Sequence, residues 1–161
     1  MPAKPLFLFG TLRHPALLTA VAGQVLETRP ASLAGHEIQH ATGPDGSLRD
    51  YPRLVPTPGG LAKGLLVFPD DEARARLDYY EKIFHYDTKP ISVISGGERI
   101  VADVYVEPAA GAPSGRRWSL EAWVALRGDL NAQAAVRLMA RRHNASAGQL
   151  AHRYYMLASH T

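Results

Sequence analysis

Two features of this sequence contain residues that could take part in a reaction: one carboxylate and one glycine turn. Glu81 lies in a segment whose apolar residues recur at helical spacing, and it borders the apolar face of that predicted helix. Partial removal from water raises the pKa of a carboxyl group, which suits general acid–base work near neutral pH. In the alternative interpretation, Glu81 pairs with Lys82, Lys89 or an arginine in solvent, the usual state of a charged surface residue.

The glycine turn follows the apolar run Leu6 to Phe9, which predicts a buried strand. Gly10 lets the backbone turn sharply or approach a ligand closely because it has no Cβ atom. The N–H groups of Gly10, Thr11 and Leu12 come where the strand ladder ends, so they could bind an anionic group as a small nest. A strand that simply ends in Gly-Thr is the plainer interpretation of the same residues.

Several other familiar site patterns are missing from the sequence. The seven histidines show no metal-ligand spacing, and no cysteine is present to bind a metal or act as a nucleophile. His36 and His40 are four residues apart, which in a strand separates them by about 13 Å. No serine lies in a Gly-x-Ser-x-Gly elbow, and no phosphate loop or dinucleotide fingerprint occurs. We therefore expect no metal site.

Length and composition are those of an ordinary soluble globular protein. The chain has 161 residues, which is enough for one domain with a substantial core. Arginines concentrate in the last third and could bind a phosphate backbone, but we favour a solvated helix face over nucleic-acid binding. No apolar run is long enough to span a membrane, and no signal-peptide pattern is present. Together with the absence of cysteine, these features predict a cytoplasmic protein.

Apolar patterns and breaker residues predict the elements that must position Glu81 and the glycine turn. The predicted elements up to residue 68 are the opening strand, a helix from Pro15 to a stop at Gly23, a strand over 32–41, an extended edge piece over 51–56, a turn at Gly59-Gly60 and a buried strand over 61–68. Residues 24–31 and 42–47 are predicted connections. Gly64, inside the last of these strands, indicates a bulge or the close approach of another backbone.

The second half of the chain changes from helical to strand periodicity and back. Asp70 is predicted to cap a helix whose apolar stripe consists of Ala73, Leu77, Tyr80 and Phe84 and whose other side carries Arg74, Asp78 and Lys82. The later predicted elements are strands over 89–95 and 99–107 joined at Gly96-Gly97, a flexible loop over 108–117, and helices over 120–126, 129–143 and 146–159. Asp129 is the predicted N-cap of the second of these helices. We interpret the tail as helices packed on, or projecting from, the strand-rich body.

In their order along the chain, four of these segments resemble the gamma-glutamylcyclotransferase-like family, which includes the avirulence-induced-gene-like proteins. The run Phe9-Gly10-Thr11-Leu12 resembles the family's Tyr-Gly-Ser/Thr-Leu signature, and Tyr51-Pro52-x-Leu54 resembles its Tyr-Pro-x-Leu stretch. The run Leu77-Asp78-x-x-Glu81 is similar to the helix that carries the family's catalytic glutamate. Tyr86 and Ala102-x-Val104-Tyr105 also fit the pattern, so the resemblance covers about residues 5 to 107.

The resemblance implies an α+β fold, with a small mixed β-barrel, flanking helices and a cavity at one end. We expect a single domain over 1–161, made of the barrel over 1–107 and a helical C-terminal extension over 118–161. The extension could close the cavity or form the face of a homodimer. The resemblance implies no cofactor.

The implied activity is formation of 5-oxoproline from a γ-glutamyl amine or peptide, with Glu81 as general acid–base. The residues implied to bind this small-molecule substrate are Phe9, Gly10, Thr11, Leu12, Arg13, Tyr51, Tyr86 and Tyr105. The sequence departs from the family pattern at Phe9, where many members have tyrosine, and at Lys82, where glycine is frequent. A non-catalytic module that binds a small carboxylate and acts through a protein partner is the alternative, since fold does not fix function.

Overall fold

The computed structural model describes residues 4–107 and 111–142. It confirms an α+β fold around a closed β-barrel with the strand order β1-β3-β2-β4-β5. The strands are β1 (Leu6–Leu8), β2 (Thr28–Thr42), β3 (Leu48–Val67), β4 (Asp87–Ser95) and β5 (Glu98–Val106), and the helices are α1 (Pro15–Ala22), α2 (Asp71–Ile83), α3 (Leu120–Trp123) and α4 (Asp129–Ala140). β1 is antiparallel to β3 and parallel to β5, which closes the barrel.

The longest strands, β2 and β3, differ from the sequence-based expectation. The edge piece over 51–56 and the buried strand over 61–68 are parts of one strand, and the turn predicted at Gly59-Gly60 is wrong. β3 pairs with β2 on both sides of an irregularity at Gly35, so the ladder continues past the glycines instead of reversing. The predicted connection over 24–31 is also too long, because β2 begins at Thr28.

Gly64 confirms the expected close approach of another backbone. A Cβ atom at this position would overlap the carbonyl oxygen of Leu8 and the ring of Phe7. Glycine thus allows β3 to lie tightly against β1. This contact helps to hold the short opening strand, and with it the turn that follows the strand.

The first two helices begin and end close to where the sequence predicts. α1 starts at Pro15 and ends at Gly23, which has φ of 78° in the left-handed region. The Asp70 side chain caps α2 by accepting a hydrogen bond of 2.8 Å from the backbone N–H of Ala73. Both helices pack apolar residues against the barrel in one cluster, which includes Leu17, Val21, Leu77 and Ile83.

The C-terminal extension folds back onto the body. Ser119 caps α3 as predicted, but at residue 124 the helix passes into a π-helical segment, Val124–Gly128, that runs on into α4. Asp129 is therefore inside a continuous helical path, and its predicted role as an N-cap is wrong. α4 packs on α1 and buries Ala135, Leu138 and Met139. The predicted helix over 146–159, His143 and residues 108–110 lie outside the described residues.

The apolar residues form two clusters. One fills the barrel and contains Phe7, Phe9, Leu33, Leu66, Val93 and Val104. The other lies between the barrel and the helices and includes both tryptophans, Trp118 and Trp123. Within the two described ranges, no helix combines the length and the apolar character needed to cross a membrane.

Candidate active site

A pocket of about 160 Å³ opens where β1 ends. Its walls come from the turn after β1, the first part of β3, the last turn of α2, the end of β5 and the C-terminal extension. The pocket is lined by Phe7, Leu8, Phe9, Gly10, Thr11, Leu12, Asp50, Tyr51, Pro52, Tyr80, Glu81, Phe84, Tyr86, Tyr105, Glu107, Trp123, Arg127 and Asn131.

Most of the residues predicted to form the site meet in this pocket. Eight of them line it: Phe9, Gly10, Thr11, Leu12, Tyr51, Glu81, Tyr86 and Tyr105. Arg13 does not. Its guanidinium donates to the carbonyl groups of Gly10 and Lys63, at 3.4 and 3.2 Å, and lies 5.9 Å from the Trp118 ring centroid. Arg13 therefore braces the turn from outside the pocket.

Glu81 lies in the last turn of α2 and lines the pocket. Burial raises its pKa to about 8, and the nearby negative charge of Asp78 adds to the effect. Within the part of the chain that the structure describes, Glu81 forms no ion pair, so neither Lys82 nor Lys89 neutralises it. A carboxyl group in this state can change protonation close to physiological pH.

The end of α2 fixes the backbone of Glu81. The N–H groups of Phe84 and Tyr86 donate to the Glu81 carbonyl at 3.0 and 3.1 Å. Between them His85 takes φ of 62°, a left-handed conformation that is uncommon for a residue other than glycine. The ring of Phe84 meets Tyr80 edge-on, with centroids 5.1 Å apart. These contacts end the helix just after Glu81, beside the pocket that Glu81 lines.

Tyr105 adds a hydroxyl group whose proton is used in a hydrogen bond within the protein. It donates to Asp78 at 2.7 Å, and burial together with this carboxylate raises the pKa of the Tyr105 phenol. The phenol therefore stays protonated across the physiological range. The neighbouring phenol of Tyr80 is also buried, which raises its pKa, with Glu81 adding to the shift.

The turn after β1 is a short 3₁₀ helix, Thr11–Arg13. Arg13 N–H donates to the Gly10 carbonyl at 3.1 Å, whereas the N–H groups of Thr11 and Leu12 precede the first hydrogen bond of the turn. A Cβ atom on Gly10 would lie 2.9 Å from Pro52 Cγ, so glycine allows this turn to pack against β3. The residues of this turn thus form one wall of the pocket.

Sequence reasoning missed one wall of the pocket, which is formed by Asp50 and the C-terminal extension. Arg127 Nη2 lies 2.5 Å from Asp50 Oδ2, and the Asn131 amide donates to the Arg127 carbonyl at 3.0 Å. The Trp118 indole N–H donates to the Asp50 carbonyl at 2.6 Å. No motif marks these residues.

Glu107 is a further carboxyl group that the sequence did not single out, at the end of β5. Burial raises its pKa, and the charge of Arg53 opposes that rise. Over residues 4–107 and 111–142, no three histidine, aspartate or glutamate side chains are grouped as ligands of a metal ion would be. The pocket thus brings the Glu81 carboxyl group and the turn after β1 together.

Comparison with known proteins identifies the fold. The model of a family described as "Gamma-glutamyl cyclotransferase, AIG2-like" matches residues 6–125. Among curated proteins, none matches this sequence.

Solved structures share the architecture at low sequence identity. A solution structure of an Arabidopsis thaliana protein is 18% identical, covering 89% of this chain and 94% of that one, with a TM-score of 0.59. A structure titled gamma-glutamyl cyclotransferase is 13% identical over 68% of this chain and 69% of that chain, with a TM-score of 0.57. YkqA from Bacillus subtilis is 16% identical over 84% of this chain and 54% of its own length, with a TM-score of 0.59.

Proposed function

Because this chain belongs to the gamma-glutamyl cyclotransferase, AIG2-like family, we propose that it releases 5-oxoproline from a γ-glutamyl amine or γ-glutamyl peptide. The observation that carries the proposal is Glu81. Its carboxyl group faces the pocket, has a pKa raised to about 8, and has no ion-pair partner among the described residues. Such a group can act as a base and as an acid within one reaction.

The proposed substrate carries its own nucleophile. The α-amine nitrogen attacks the γ-carbonyl carbon and forms the C–N bond of a five-membered lactam. The bond between that carbon and the leaving amine nitrogen then breaks. Because both reacting groups belong to one molecule, the enzyme must chiefly fold the substrate into the right conformation and move protons.

Glu81 would move those protons. Its carboxylate takes a proton from the α-ammonium group, which frees the nitrogen lone pair for attack. The protonated carboxyl then donates to the leaving nitrogen as its bond to carbon breaks. The ring nitrogen still carries one hydrogen more than the lactam, so the regenerated Glu81 carboxylate accepts this second proton and passes it to the departing amine, which leaves as an ammonium ion. A pKa near 8 keeps both forms of Glu81 accessible at neutral to mildly alkaline pH.

The turn after β1 would stabilise the negative charge that develops on the carbonyl oxygen. The N–H groups of Thr11 and Leu12 are fixed backbone donors at the pocket wall, and such donors stabilise an oxyanion without reorganising. The rings of Phe9, Tyr51 and Tyr86 line the pocket around the reacting atoms and would limit the access of water.

The test is release of 5-oxoproline from a panel of γ-glutamyl amines and peptides. We expect Glu81→Gln to lower kcat/KM by about 100-fold or more, the usual scale for loss of an acid–base group. Glu98→Gln, at an exposed position in the β4–β5 hairpin, is the matched control and should behave like the wild type. Equal rates in the Glu81→Gln variant and the wild type would overturn the role of Glu81. Binding without release of 5-oxoproline would indicate the non-catalytic carboxylate-binding module instead.

A further inference from the structure

Arg127 is the only cation among the described residues that line the pocket. The other charged residues of the lining are Asp50, Glu81 and Glu107, all carboxylic acids. Arg127 also lies beyond residue 125, where the family match ends. Its presence in the pocket is therefore a feature of this chain's extension and not of the matched region.

The extension holds Arg127 at the pocket wall. Arg127 belongs to the π-helical segment Val124–Gly128, and π-helical turns occur frequently at functional sites. Gly128 lets this segment pack closely, since a Cβ atom there would lie 3.2 Å from His14 Nε2. Asn131 binds the Arg127 carbonyl, and Asp50 contacts its guanidinium. The first contact holds the backbone of Arg127, and the second holds its guanidinium beside Asp50.

The ion pair between Arg127 and Asp50 is partly open to solvent, so an incoming anion can compete for the guanidinium. The Arg127 side chain is 31% exposed and the Asp50 side chain 49%. An ion pair that is this open to solvent contributes little to stability. A guanidinium has five N–H donors, so it can contact a second carboxylate or exchange Asp50 for it. The planar fork also matches a carboxylate better than an ammonium group does.

We propose that Arg127 binds a carboxylate of the substrate and so determines which γ-glutamyl compounds enter the pocket; the inference rests on the proposed function. Because Arg127 is the only cation among the described lining residues, it is the group that can balance the charge of an incoming carboxylate. Two substrate carboxylates qualify. One is the α-carboxylate beside the attacking amine, and the other is a carboxylate on the leaving amino acid or peptide.

The experiment separates these two sources with four probes. γ-Glutamylglycine carries both carboxylates, γ-glutamylmethylamide only the α-carboxylate, 4-aminobutanoylglycine only the one on the leaving side, and 4-aminobutanoylmethylamide neither. Dissociation constants are measured by calorimetry with the full-length Glu81→Gln variant, which slows turnover, and with the same variant carrying Arg127→Ala, Arg127→Lys or Arg137→Ala. Arg137 is the matched control, because it is an exposed arginine of α4 that does not line the pocket.

We expect Arg127→Ala to weaken γ-glutamylglycine binding by about tenfold to 100-fold, the scale of a hydrogen bond to a charged group. Arg127→Lys should restore part of that loss, whereas Arg137→Ala should have no effect. Loss with γ-glutamylmethylamide assigns Arg127 to the α-carboxylate, and loss with 4-aminobutanoylglycine assigns it to the leaving side. An equal loss with the probe that lacks both carboxylates, unchanged constants, or no binding of any probe would overturn the inference.

Turnover keeps this inference separate from the proposed reaction. Release of 5-oxoproline by the wild type, together with an unchanged KM in Arg127→Ala, would overturn the role of Arg127 alone. Binding that depends on Arg127, without release of 5-oxoproline by the wild type, would overturn the reaction alone.

Discussion

Two neighbouring regions of α2 differ in whether their charged side chains have partners of opposite charge. On one side Arg74 contacts Asp78 at 3.0 Å and Asp103 at 2.9 Å, and the Tyr105 hydroxyl donates to Asp78; we call these four residues the paired cluster. Less than one helical turn further on, Glu81 faces the pocket with no ion pair among the described residues. The same helix thus carries charges that hold elements together and a charge that is left available.

The difference lies in the partners and not in the type of side chain. In the paired cluster each carboxylate has a cation or a hydroxyl donor, which stabilises its ionised form. Glu81 has burial without such a partner, and its neighbour Asp78 is negative, so its pKa rises to about 8. Because Asp78 belongs to the cluster and also acts on Glu81, the two regions are electrostatically coupled.

The largest expected effect on stability comes from removing the unpaired charge. The pKa of Glu81 in the folded protein is about 8, which is above the ordinary value of 4.5 for a glutamate. Folding is therefore penalised as pH rises from about 4.5 and the penalty is complete above about 8. Gln has no such penalty, so Glu81→Gln should be more stable than the wild type at pH 9, by on the order of 5 kcal/mol. The two proteins should be nearly equal at pH 4.

Urea unfolding at a series of pH values measures this difference. Glu98→Gln, whose residue is exposed, should show no growth of the difference with pH. A Glu81→Gln variant that is equally or less stable than the wild type at pH 9 would show that the carboxyl group is solvated or compensated. In that case the contrast between the two regions would not hold.

A smaller effect is expected from breaking the paired cluster. Arg74→Ala removes the guanidinium from Asp103, whose side chain is only 15% exposed. We expect a loss of about 2 kcal/mol, less than for a fully buried pair, because Lys4 still lies 3.6 Å from Asp103. Thermal unfolding against Arg99→Ala, an exposed arginine of β5, provides the measurement and its control. If the two variants unfold at the same temperature, the ion pairs of the paired cluster contribute no more to stability than solvent-exposed pairs do.

The smallest effect sharpens the coupling between the two regions. Asp78→Asn removes a negative charge near Glu81, which favours the ionised carboxylate and lowers the pKa of Glu81. If Glu81 acts as the base, the rise of kcat/KM with pH should move to lower pH, by up to about one unit. Asp71→Asn, at the exposed start of α2, should leave the profile in place. A shift to higher pH would contradict the assignment.

Local patterns predicted the parts of the site that local sequence controls. The glycine turn follows directly from the buried apolar strand before it. The helical spacing of α2 left Glu81 open between the apolar face and an ion pair in solvent, and the resemblance to the family favoured a catalytic role. The course of β3 was not predicted, because pairing with β2 on either side of residues 57–60 keeps the chain running in one direction where Gly59-Gly60 alone indicated a reversal. Propensity alone does not contain that tertiary contact.

Two arginines show the same limit of prediction from local sequence. Arg13 adjoins the glycine turn in sequence, yet its side chain turns towards the Lys63 carbonyl and Trp118. Arg127 is distant in sequence, yet it reaches the pocket because the extension packs on α1 and α3 brings Trp123 to the rim. Neither outcome has a local signal, since each depends on where the helices after residue 118 come to lie.

The two tryptophans of the extension make the pocket optically readable. Trp123 lines the pocket, while Trp118 is buried beside it with its indole N–H bonded to the Asp50 carbonyl, and the sequence has no other tryptophan. Tryptophan emission therefore arises entirely from these two neighbouring residues. Ligand occupancy can be followed by fluorescence without a label, and Trp118→Phe would leave Trp123 as a single reporter in contact with the bound molecule.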